Sequence, residues 1–528
     1  MTSMLLALFR SHSRKHGTQM RTMLAICLAI LPVAPALAAQ DQPARPTLRF
    51  EIKDAQGRSV PCRIHLADSA GKPQQAEGLP FWRDHFDCDG TAALQLPRGR
   101  YRYEIERGPE WKPVSGSIDL AQDQVVTIKL TRLADLAAAG WFSGDLHVHR
   151  PLKDMPLLMR AEDLYVAPDI TWWNRTNPWS KQGIPPTLLE RVDERRFCDV
   201  MAGEDERDGG ALLFFGLPRP LEITKATREF PSAMKFVSDA RRLEPGAWID
   251  IEKPFWWDVP LWLASGQVDS IGLANNHMQR SGMLANEAWG RPRDRQRLPD
   301  PLGNGYWSQE IYYHILNCGL RIAPSAGSAS GVLANPLGYD RVYVHLDGPM
   351  DYQQWWKQLK ASRCFVTNGP LLLVKAEEQF PGHIFQAEGG NRLELKVEIS
   401  LISSDRIPRV EIIKNGRVDS AIDAAEAPSQ QLTGRVSFTE SGWFLLRAIA
   451  ENGRTFRFAS TAPFYVEIGP QKHRISRASA GFFLDWVGER QKQVRAKIQS
   501  PDELREVVPY HESARQYWQD VLNRANSE

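Results

Sequence analysis

Several things are scarce in this 528-residue sequence, and each absence removes a class of function. None of its 6 cysteines form a C-x-x-C pair, which excludes the common paired-cysteine zinc and redox sites. Apart from a short stretch near the N-terminus, no apolar run approaches the roughly 20 residues of a spanning helix. Charge of one sign is also missing: the formal net charge is +2, which offers no electrostatic case for nucleic acid. There is no internal repeat and no low-complexity tract, so solenoids and disordered tails are set aside. What remains is an ordinary globular composition, 42% hydrophobic and 24% charged, long enough for roughly three or four domains.

The short apolar stretch has its own logic. Arg10, Arg14, Lys15 and Arg21 precede "MLAICLAILPVAPALA", no acid occurs before Ala38, and Ala36-Leu37-Ala38 forms an A-x-A site. This predicts a secretory signal peptide over residues 1–38, cleaved near Ala38. The long basic segment allows a start at Met20 or Met23. Ile26 before Cys27 argues against a lipoprotein site. Removing residues 1–38 takes the net charge from +2 to about −2. The expected mature protein is periplasmic or secreted, with no membrane span and no nucleic-acid partner. Export permits a disulfide, and Cys62 and Cys88 are either such a bridge or two buried thiols. Cys198, Cys318 and Cys364 read as core residues.

Periodicity divides the rest. Residues 40–134 alternate apolar and polar positions in short runs, separated by turn signals such as "DAQGR", "SAGK" and "DCDG". They predict an N-terminal β-sandwich. Within it, "GTAALQLPRGRYRYEIERGPEW" resembles the Gly-x-Tyr turn of transthyretin-like or carboxypeptidase-regulatory-like modules. Over residues 135–370 apolar runs end in polar residues and helix-compatible stretches follow, as in "GDLHVHR", "PDITWWNRTN", "CDVMAGEDER", "GAWIDIEKP", "VDSIGLANNHM", "LRIAPSAGSASG" and "CFVTNGP". Seven such ends favour a βα barrel, with its site at the C-terminal strand ends, over an open sheet. Residues 371–470 return to strand patterns and predict a second β-sandwich. Residues 471–528 carry apolar and aromatic residues at helical spacing, with "SPDE" as a helix start.

The chemistry centres on "GDLHVH", which places Asp145, His147 and His149 on alternate positions at a strand end. Alternation puts them on one face, where two imidazoles can converge on an ion. "GEDERDGG" offers Glu204 as a further ligand, and "LANNHM" offers His277. Three or four N/O ligands with an open position describe a catalytic divalent ion, zinc first, manganese or iron next. Such an ion activates a bound water and polarises a carbonyl or phosphoryl oxygen. Asp205 or Glu206 is the expected base, and Asp145 is expected to orient a ligand histidine. Lys253 either stabilises a developing oxyanion or pairs with Glu252 or Asp250. "SAGSASG" is either an anion cradle or a plain tight loop. Tryptophans at Trp172, Trp173, Trp256, Trp257, Trp262, Trp289 and Trp307 suit a sugar or aromatic leaving group, or fill a core.

The order "GDLHVH … GEDE … EKPFWWDVP … VDSIGLANNHM … APSAGSASGVLANPLGYDRVYV … VTNGP" resembles the polymerase-and-histidinol-phosphatase (PHP) superfamily of metallohydrolases, in its CehA/McbA-like branch. The resemblance implies a distorted seven-stranded βα barrel with ions on its C-terminal face, and metal ligands at His147, His149 and Glu204. The sequence departs from the family at three motifs. Trp172 and Trp173 stand where Asp and His are usual, Lys253 replaces the histidine of Ala-His-Pro, and Ala329 and Gly331 occupy the ligand positions of Gly-Ser-Asp-x-His. These losses leave ligands for one ion, with His277 as a replacement. The leading expectation is an exported hydrolase using metal-bound water to cleave an ester, amide, carbamate or phosphoester of a small molecule or glycan. The alternative is a catalytically decayed PHP-like barrel that binds a glycan or other ligand.

Overall fold

The computed structural model describes residues 45–425 and 427–528. The expected signal peptide lies outside the described residues. Alternating buried and exposed positions put strands Thr47–Lys53, Thr91–Gln95 and Gln124–Lys129 in one sheet. A five-stranded sheet, from Phe81–Trp82 through His85–Cys88, Cys62–Asp68 and Gly99–Glu106 to Val114–Leu120, packs on it. The two enclose a core of Phe50, Ile64, Phe86 and Ile105. Cys62 and Cys88 lie directly opposite each other as buried free thiols, their Sγ atoms 3.8 Å apart.

The middle region is mixed α/β. Its strands are β1 (Trp141–Gly144), β2 (Val166–Trp173), β3 (Phe197–Arg207), β4 (Gly210–Phe215), β5 (Trp248–Ile251), β6 (Ser270–Asn275) and β7 (Ala323–Gly327), paired in that order within one sheet. Helices α1 (Met155–Ala161), α2 (Ala233–Leu243), α3 (Val259–Ser265) and α4 (Gly303–Asn317) lie in the connections. β4 alone runs antiparallel to its neighbours β3 and β5. The segment after β1 bonds on both sides: Asp145 N–H donates to the Val166 carbonyl, Leu146 N–H to Ala326 and His149 N–H to Ser330. The last strand therefore returns to the first at the ends where the polar motifs sit.

Two further strands, β8 (Arg341–His345) and β9 (Cys364–Thr367), continue from the other edge of β1. Pairing of β9 with Phe458–Thr461 carries the same sheet into the C-terminal region. There it faces a three-stranded sheet of Leu371–Ala376, Leu393–Ile402 and Ser429–Phe438 over a core that includes Val397, Ile412 and Phe444. Leu371, where the sequence suggests a boundary, opens that three-stranded sheet, while the long sheet runs on across the same point through β9.

The last two helices, α5 (Arg477–Lys497) and α6 (Pro501–Asn523), form a hairpin. Ser500 caps α6 by accepting from Glu503 N–H, with Pro501 in the first turn, as "SPDE" predicts. Phe483 stacks on Trp518, whose indole donates to the Pro260 carbonyl at 2.9 Å. Arg490 pairs with Asp258 and Glu229, which locks the hairpin onto α3. Among the described residues no helix is long and apolar enough to cross a membrane.

Candidate metal centre

Strand β1 ends at Gly144, so Asp145, His147 and His149 lie just beyond it. Their backbone is held by the bonds to β2 and to the Ala326–Ser330 segment described above. Within that frame the two imidazoles converge: His147 Nε2 and His149 Nε2 are 3.2 Å apart. Glu204, inside β3, brings its oxygens to 3.7 Å from His147 Nε2 and 3.3 Å from His149 Nε2. One ligand atom from each residue lies within 4.8 Å of the others, and all three side chains are buried. A tetrahedral shell with bonds of about 2.0–2.1 Å holds its ligand atoms roughly 3.3 Å apart, so the donor set fits a divalent ion.

Support comes from β5. His147 Nδ1 faces Glu252 Oε1 at 3.1 Å, an arrangement that puts the ring proton on Nδ1 and frees Nε2 for a ligand role. Glu252 is itself held by the Lys253 ammonium, by the Trp256 indole at 2.8 Å and by the Asn276 amide at 3.0 Å. Burial opposes charge on His147, but the carboxylates of Glu204 and Glu252 raise its imidazole to about 10. Burial would raise Glu204, yet the two histidines hold it well below the usual carboxylate range. Sequence reasoning treated Glu252 only as a partner for Lys253. Its position immediately after the apolar "WIDI" strand was the available signal.

Two expectations, for His277 and Asp145, are corrected, and two alternatives, for the base and for Lys253, are decided. Asp205 lies on the opposite face of β3 from Glu204, where both of its oxygens grip Arg207 at 2.6 and 2.7 Å. Strand alternation therefore removes it as a base and leaves Glu206, whose carboxyl is raised to about 7 by burial and by neighbouring Glu204. His277 is outside the cluster: its Nδ1 meets the Asn286 carbonyl at 2.8 Å and its ring packs on Phe255. Burial, and then the Lys253 charge, lower it to about 3. Asp145 touches neither imidazole. It accepts from the backbone of His147, Ser328 and Gly338 and from the Ser328 hydroxyl, and so pins the chain that carries the histidines. Lys253 is committed to Glu252, with its ammonium 4.6 Å from the centre of the Trp256 ring. Asp250, the other partner considered for Lys253, instead accepts from the Ser270 and Ser325 hydroxyls.

Packing accounts for Trp172, Trp173 and Gly331. Trp172 is fully buried and lies so close to Gly203 that a Cβ there would meet its ring at 2.0 Å. Trp173 sets its edge against His149, ring centres 5.0 Å apart. Gly331 has φ +100, and a Cβ there would meet the His149 carbonyl at 2.0 Å, so this backbone has no room for a side chain. No helix follows Ser328–Gly331, and the segment is a tight loop holding Asp145. Trp256, Trp262 and Trp307 are core residues, whereas Trp289 stacks on Trp256 and stays 40% exposed.

No family model matches the chain, and no curated protein matches it. Among solved structures, it is similar to the CARDB domain of PF1109 from Pyrococcus furiosus, at 16% identity over 19% of this chain and 96% of that one, TM-score 0.15. The fibronectin(III)-like modules of Clostridium thermocellum CbhA match at 16% identity over 26% of this chain and 64% of that one, TM-score 0.14. The Bacillus anthracis TIE protein matches at 7% identity over 80% of this chain and 50% of that one, TM-score 0.13. These likenesses carry no argument about the site. It stands on its own geometry.

Proposed function

We propose that the chain is an exported metal-dependent hydrolase of the PHP type, its middle sheet a seven-stranded barrel of β1–β7 and its ion held by His147, His149 and Glu204. The observation that carries this reading is the convergence of those three ligand atoms within 4.8 Å, two from just past β1 and one from within β3. Zinc is the first choice for two imidazoles and a carboxylate, ahead of manganese or iron. When bound, the ion supplies Lewis-acid polarisation and an activated water.

The chain's own residues do the remainder. Glu252 holds His147 in the ligand tautomer. Glu206, with its carboxyl raised to about 7 by burial and Glu204, takes up and releases a proton near neutral pH. Lys253 pairs with Glu252, and Trp173 and Trp289 offer aromatic walls to a small-molecule or glycan substrate. The bond cleaved belongs to the ester, amide, carbamate or phosphoester class. The test is elemental analysis of the purified chain together with hydrolysis of p-nitrophenyl acetate and bis-p-nitrophenyl phosphate. Metal at the centre and turnover, both lost in His149→Ala, support the reading. An ion-free protein without turnover sinks it.

A second reading rests on Lys253, whose ammonium is tied to Glu252, and on Trp289, which is exposed where it covers the buried Trp256. Here the centre is a structural ion in a decayed barrel that binds a glycan. Retention of an oligosaccharide by metal-loaded protein that turns over neither model substrate would favour it.

A further inference from the structure

The N-terminal sandwich contains a second convergence of imidazoles and a carboxylate, which the hydrolase reading does not use. His65 and His85 sit directly opposite each other on neighbouring antiparallel strands, ring centres 5.1 Å apart. Asp84, in the tight turn before His85, reaches both rings. Its Oδ1 is 2.9 Å from His85 Nδ1, and its Oδ2 is 3.2 Å from His65 Nδ1. One ligand atom from each of the three residues lies within 4.8 Å of the others.

Two features separate this cluster from a plain hydrogen-bonded trio. His65 is about nine-tenths buried, yet its Nδ1 makes no directed hydrogen bond, because the approach to Asp84 is close but off-line. His85 is 1% exposed while the Asp84 side chain is 48% exposed, so the histidines are fixed and the carboxylate side is open to an entering ion. We infer that His65, Asp84 and His85 form a second site for a first-row divalent cation of the zinc type.

The surroundings supply what such a site needs. With Nδ1 on the ion, His65 carries its proton on Nε2, and Glu106 Oε2 stands 3.4 Å away to accept it. Arg63 Nε, now 3.0 Å from that nitrogen, gives up one bond and keeps its pairs with Glu106 and Glu162. Position gives the ion a purpose. The hairpin that carries Asp84 also carries Trp82, whose indole donates to the Leu333 carbonyl at 2.7 Å and whose ring lies 5.5 Å from the Arg150 guanidinium. Arg150 directly follows His149. An ion at His65, Asp84 and His85 would clamp the hairpin that seats the sandwich against the rim of the first centre.

The test uses the full chain with the first centre removed, His147→Ala with His149→Ala, stripped of metal and reloaded with zinc. Elemental analysis and calorimetry are expected to find about one zinc per chain, abolished by adding Asp84→Asn. That substitution is isosteric and partly exposed, so the fold is retained, and circular dichroism checks it. Diffraction at the zinc edge should place an anomalous peak between His65 and His85. The inference is overturned if the double variant takes up no zinc, or if its zinc is indifferent to Asp84→Asn and to His85→Asn. Failure of the first centre looks different: the wild-type chain would then hold one zinc that survives His147→Ala with His149→Ala.

Discussion

The His147–His149–Glu204 cluster draws its ligands from two places in the chain and its support from a third, whereas His65, Asp84 and His85 come from two neighbouring strands and the tight turn that leads into one of them. Every member of the first is buried, and its key tautomer is set by a single carboxylate, Glu252. In the second, the carboxylate is half exposed, and both Arg63 and Glu106 compete for His65 Nε2. The difference teaches that a rigid ligand shell depends on the residues behind the ligands. A centre spread over several strands gains that backing from the sheet itself. A local one must find it among neighbouring ion pairs.

Ways to break this comparison run from large effects to small. His147→Ala should weaken zinc binding at the first cluster by more than about 100-fold, beyond the 10–100-fold typical of a backing residue, and calorimetry measures it. Asp205→Asn should leave zinc affinity unchanged but lower stability by about 3 kcal/mol in chemical denaturation, because Arg207 stays buried without its counter-charge. If it lowered zinc affinity, the opposite-face assignment would be wrong. Glu252→Gln should weaken zinc by about 10–100-fold while His147, His149 and Glu204 all remain. Finally, zinc affinity at the first cluster should rise by about tenfold per pH unit near neutrality, since the ion must displace a proton from His147.

The sign of that last effect follows from the imidazole. Its pKa is raised to about 10 against burial by Glu204 and Glu252, so the ion-free ring is protonated at neutral pH. In metal-free protein the resulting stability is complete below the ordinary histidine value of about 6.5 and is lost as pH climbs through about 10. Stability of the zinc-loaded chain should move the other way between pH 6 and 8, and parallel thermal melts would show the crossing.

Much of the arrangement was legible. Period-two runs announced the strands on either side of the middle region, and "SPDE" announced the start of the last helix. The D-x-H-x-H spacing and the acid following "CDVMAG" pointed to three side chains that do converge. Strands β4 and β8 went unread, because "GALLFF" and "RVYVH" are buried throughout and carry no alternation. His277 was misread for the opposite reason: a strand-end histidine looks the same whether its ring faces an ion or the Asn286 carbonyl. The sandwich histidines drew no attention, since His65 and His85 become neighbours only through strand register.

Residue order alone settled most of the strands and helices, the buried β4 and β8 excepted, and which residues stand just past a strand end, because periodicity and turn chemistry act over a few positions. Tertiary structure decided the rest: that Glu204 and Asp205, adjacent in sequence, serve an imidazole pair and a buried arginine respectively, and that Glu252 stands behind His147. The reason is geometric. A side chain's partners are set by which face of the sheet it leaves and what the sheet's curvature brings opposite, and neither is encoded at the range of a motif.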